Sequence, residues 1–132
     1  MFLNQLSYQE KKMFLDLSIH AAKANNELAS AEKAMINAYC TEMQLPPAEG
    51  CETEPLAAIS AFFALADDHI KKIVLLELFG LVYADGSFDK AETALVRKFA
   101  EEIGIAEETW QRLQTAIKDY YAVCRALAEA VE

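Results

Sequence analysis

The sequence predicts an all-α fold: a compact bundle of about six helices in a single domain covering residues 1–132. Three observations predict it. Apolar residues recur at three- and four-residue steps through most of the chain. Helix-capping pairs stand just ahead of the periodic stretches. Only 4 Gly and 3 Pro occur, too few for the many turns of an all-β protein. A chain of 132 residues hides roughly two-thirds of its unfolded surface, enough for a core of its own.

The elements follow in order. Ser7 with Glu10 forms a capping box that opens a first helix reaching about Lys23. A second helix covers about 30–43, and the Pro- and Gly-containing stretch 45–52 is the one clear loop. A third helix, about 55–66, is apolar nearly all round (Leu56, Ile59, Phe62, Phe63, Leu65). It is therefore expected to be central, linking the two halves. Asp67 caps a fourth helix that reaches Tyr83, and Asp89 with Glu92 makes a second capping box opening a fifth helix to about Ile103. The last helix starts near Glu107. It carries Trp110, Leu113, Ile117, Tyr120 or Tyr121, Cys124, Leu127 and Val131 at helical spacing, as a brace for the bundle.

Sliding the chain on itself by sixty residues lays 11–45 over 71–105 without a gap. Lys11/Lys71, Lys12/Lys72, Leu15/Leu75, Ala24/Ala84, Ala31/Ala91, Glu32/Glu92, Ala34/Ala94 and Glu42/Glu102 are identical. Apolar character is kept at Ile19/Phe79, Met35/Leu95, Ile36/Val96 and Tyr39/Phe99. The pattern reads as two tandem helix-loop-helix repeats. Neither can bury its apolar face alone, so the two should pack together.

The two repeat loops are Ala24-Asn25-Asn26-Glu27-Leu28-Ala29-Ser30-Ala31-Glu32 and Ala84-Asp85-Gly86-Ser87-Phe88-Asp89-Lys90-Ala91-Glu92. The second has Ala-Asp-Gly, a hydrophobic residue two positions on, and a Glu at the start of the next helix. It resembles the signature of the tellurite-resistance TerB-like family, which is all-helical and carries that signature once per half at about this separation. The first copy departs from it, with Asn25-Asn26 in place of Asp-Gly. The resemblance implies a stress-associated helical module that acts in complexes, with paired acidic loops that hold a divalent cation.

On that reading Asp85, Asp89, Glu92, Glu27 and Glu32 are the candidate ligands. Carboxylate oxygens without histidine or thiol suit calcium or magnesium rather than zinc or copper. A fold-only account competes with it. Gly86 and the Asn25-Asn26 pair can supply left-handed helix ends, Asp89 and Glu92 cap a helix, and Leu28 and Phe88 anchor the loops in the core. Asp85 alone is left with a mere turn-forming duty. A conventional EF-hand is excluded, because Leu81 and Tyr83 occupy positions where that loop needs acids.

The remaining polar residues divide between the repeats. Gln9, Lys12, Asp16, His20 and Lys23 form a stripe expected to face solvent. Sixty residues on, Leu76, Gly80 and Tyr83 replace Asp16, His20 and Lys23. That apolar face is expected to lie under the last helix, with a partner protein as the other cover, which makes Leu76 and Tyr83 candidate interaction residues. Glu77, alone among leucines, is expected to be exposed; if buried it would need a partner or a proton. Cys40 and Cys124 fall on apolar helical positions as reduced buried thiols, and Cys51 lies in the loop.

Catalytic chemistry has no footing. The sequence holds no nucleophile-base-acid set, phosphate loop or zinc spacing, so no enzyme is expected. A formal net charge of −9 without a basic cluster disfavours nucleic acid and anionic membrane surfaces as partners, and leaves another protein. Apolar residues at 54% imply a generous core or an apolar surface kept for such a partner. The opening Met-Phe-Leu-Asn-Gln lacks the pattern of a signal peptide and no apolar run spans a membrane, so a cytoplasmic site is expected. The function that follows is a non-enzymatic protein-interaction module with a cation site in its loops. The alternative is a dedicated metal- or small-ligand-binding protein.

Overall fold

The computed structural model describes residues 1–25, 30–47, 54–84 and 89–132. Among these, a short 3-10 turn at Leu3–Gln5 precedes six α-helices and no strand is present: α1 (Tyr8–Ala22), α2 (Ser30–Met43), α3 (Leu56–Ala64), α4 (Asp68–Val82), α5 (Lys90–Glu102) and α6 (Glu107–Ala130).

Local chemistry sets the helix ends. Ser7 Oγ accepts from Glu10 N at 3.2 Å while Glu10 Oε1 accepts from Ser7 N at 2.8 Å, completing the capping box of α1. Asp67 Oδ1 accepts from Ile70 N at 2.9 Å and starts α4. A cap of this kind stabilises a helix by about 1 kcal/mol. The chain leaves α2 through Gln44 (φ 59°) and α5 through Gly104 (φ 83°). In each case the next amide reaches back over the last turn at 2.9 Å, Leu45 N to Cys40 O and Ile105 N to Ala100 O.

Those two exits stand sixty residues apart, and so do other features. α1 and α4 are each fifteen residues long and begin at 8 and 68, while α2 and α5 begin at 30 and 90. Lys23 N bonds Ile19 O and Tyr83 N bonds Phe79 O, both at 3.1 Å. Ahead of α1, Leu6 N donates to Leu3 O at 3.2 Å; ahead of α4, Ala66 N donates to Phe63 O at 3.1 Å. Leu3 and Phe63 are both fully buried.

The middle of the bundle is α4. Nine of its fifteen residues are buried, and it packs against α1, α2, α5, α6 and the N-terminal turn. The expectation that α3 is central does not hold. α3 buries Ile59, Ser60 and Phe63 against α1 and α5, and Leu65 just beyond it is 91% exposed. Its apolar circumference is misleading because alanines, Ala57 and Ala61 here, cost little to leave in water.

Glu77 is the second correction. It is only 2% exposed, on the inner side of α4. Its carboxylate accepts from the Met1 α-ammonium, whose nitrogen lies 2.9 and 3.2 Å from the two oxygens. The same ammonium lies 3.1 Å from Glu42, which also accepts from Leu3 N at 2.9 Å. The partner that a buried carboxylate requires is thus supplied from the far end of the sequence.

Candidate functional site

The end of α1 and the start of α5 meet through one hydrogen bond. Asn25, past the end of α1, donates Nδ2–H to Asp89 Oδ2 at 3.0 Å. Asp89 is also the N-cap of α5, its Oδ1 accepting from Glu92 N at 2.9 Å. The bond from Glu92 N, followed by that from Asn25, holds the Asp89 carboxyl below the usual aspartate range. Glu32 and Glu92 occupy matching places in the first turns of α2 and α5, and both are buried. Asn26, Glu27, Leu28, Asp85, Gly86 and Phe88 lie outside the described residues. Among the described residues, no three His, Cys, Asp or Glu side chains gather as a metal ion would require.

The apolar face of α4 lies under α6. Tyr83 is 8% exposed, its hydroxyl accepting from Gln114 Nε2 at 2.8 Å, and its ring stacks 6.0 Å from Phe79. Burial pushes the Tyr83 phenol up, against the Gln114 bond. Trp110 sits edge-on to Phe79 at 4.7 Å, with the Arg97 guanidinium 4.6 Å from its own ring centre. Gly80 lets α2 and α6 come close: Tyr39 donates to the Glu77 carbonyl and Tyr121 to the Gly80 carbonyl, both at 2.5 Å. Leu76 remains half-buried at the edge of this contact.

The polar stripe of α1 is not a plain solvated face. Asp16 is buried and its Oδ2 accepts from Glu54 N at 3.2 Å, while His20 Nε2 donates to Glu54 O at 2.8 Å. Together they clasp the residue that leads into α3. Tyr8, Gln9, Lys12, Met13, Asp16 and Glu54 line an open groove beside it. Cys40 is buried and Cys124 half-buried; Cys51 lies outside the described residues.

Sequence reasoning missed one surface. α6 has 24 residues, about 36 Å of helix, and beyond Tyr121 it runs on for nine more. Tyr120, Val123, Leu127 and Val131 are exposed along that half, Leu127 at 63%. Their spacing is visible in the sequence, but not that the bundle ends before reaching them.

The family model described as Tellurite resistance protein TerB matches residues 52–115. That stretch is a TerB-family domain. The TerB match takes in α3, α4, α5 and the first part of α6, and the α1–α2 pair lies outside it. No curated protein and no solved structure matches the chain. Among the described residues no helix is long and apolar enough to cross a membrane.

Proposed function

We propose that this chain is a non-catalytic TerB-family module that binds another protein through the outer face of α6. One observation carries the reading. Four large apolar side chains lie exposed at three- and four-residue spacing on a helix that continues about 14 Å past Tyr121. Apolar surface arranged this way gains nothing for a monomer and suits a partner. The family description, a tellurite resistance protein, points this role toward tellurite resistance. Tyr83 and Leu76, beneath and beside α6, serve the interaction by holding that helix in place. The bonds that recur sixty residues apart support a duplicated helix-loop-helix unit as the scaffold's origin.

The test compares wild type with Val123→Glu and Leu127→Glu in pull-downs from native lysate. Both variants should fold with stability within about 0.5 kcal/mol of wild type, since neither side chain is buried, and both should lose a partner that wild type captures. Identical captures by all three proteins would overturn the reading.

A second reading, a calcium or magnesium site shared by the two loops, is favoured by the Asn25–Asp89 bond, which joins their helix ends. An ion binding only the folded chain raises its melting temperature. Millimolar calcium or magnesium should do so for wild type and not for Asp85→Asn. Equal melting of the two proteins with and without the ions would leave the loops as turns.

A further inference from the structure

We draw no further inference here: the strongest candidate, the exposed apolar stripe Tyr120, Val123, Leu127 and Val131 on the projecting half of α6, is an unpartnered helix face, and nothing in the structure shows what covers it.

Discussion

Asn25 Nδ2 lies 3.0 Å from Asp89 Oδ2, a hydrogen bond spanning 64 residues of sequence that ties the end of α1 to the start of α5. The carboxylate already caps α5, so one side chain serves both a helix end and the joint between the two helix pairs. Asn25→Ala should destabilise the fold, and Asp89→Ala should destabilise it more because the cap goes too. The double variant should lose less than the sum of the two single losses, since residues sharing one bond are coupled. Additive losses would show that the bond is absent in solution. The pH sense is fixed by the lowered Asp89 pKa: its contribution is present above the ordinary value of 3.8 and is lost as pH falls through the depressed one. The deficit of Asn25→Ala should therefore shrink in acid.

Gln44 and Gly104 occupy matching exits from α2 and α5 with positive φ, and only one of them is glycine. A side chain in the left-handed region costs on the order of 1 kcal/mol that glycine does not. Gln44 is exposed, so its side chain offers no packing in return. Gln44→Gly should raise the unfolding free energy by about 0.5–1 kcal/mol, and Gly104→Ala should lower it by about 1 kcal/mol. A Cβ added at Gly104 meets no atom within 4 Å, so that loss would report backbone conformation alone. Unchanged denaturation midpoints in both variants would contradict the exit geometry.

What is legible in the sequence is local. Ser7 with Glu10, Asp67 and Asp89 each act on amides three residues away, and their caps form as the sequence implies. What is not legible depends on where distant segments come to rest. Glu77 looks like a surface charge until Met1, 76 residues away, is placed against it. Asp16 and His20 look solvated until Glu54 folds onto them. The apolar periods of α3 and α6 identify helices, but period alone does not say which part of an apolar face will be covered. Leu65 and Leu127 are both in water for that reason. Asp85 and Glu27, the acidic residues proposed from the loops, fall outside the described residues.

Glu77 gives the fold a falling response to pH. Burial raises its carboxyl above the ordinary 4.5, even though the Met1 ammonium and the Phe2 amide pull the other way. The native chain therefore holds that proton more tightly than the unfolded chain, and stability declines as pH rises from about 4.5 through the raised value. The Met1 ammonium adds a second decline. Its own burial is outweighed by Glu77 and Glu42, so its pKa lies above 8.0 and its contribution is lost as pH passes beyond that raised value. In urea titrations from pH 4 to 10, Glu77→Gln should lack the first decline and show a weaker second one. A wild type that instead gains stability relative to Glu77→Gln between pH 4.5 and 7 would reverse the assignment.

Gly80 is the point at which the packing of α2, α4 and α6 can be probed with one methyl group. In a free helix, replacing glycine by alanine is favourable by about 1 kcal/mol. Here a Cβ would stand 3.1 Å from Tyr39 Oη and 3.8 Å from both Met35 Cε and Tyr121 Oη. The sign depends on whether Tyr39 can retreat. Its hydroxyl is held at 2.5 Å by the Glu77 carbonyl, its ring lies 5.4 Å from that of Phe14, and the residue is buried. Overpacking so confined a site costs about 1–3 kcal/mol, which exceeds the helical gain. Gly80→Ala should therefore destabilise the fold by about 1 kcal/mol net. Tyr39→Phe removes the obstructing oxygen at a cost of about 1 kcal/mol for the lost hydrogen bond. In that background Gly80→Ala should turn stabilising, because the nearest remaining contacts at 3.8 Å are ordinary van der Waals distances. The reversal of sign between the two backgrounds, read from urea midpoints at constant m-value, is the outcome that separates a close three-helix contact from plain helix propensity. A Gly80→Ala variant that is stabilised even with Tyr39 present would mean that α2 stands further from α4 than 3.1 Å allows.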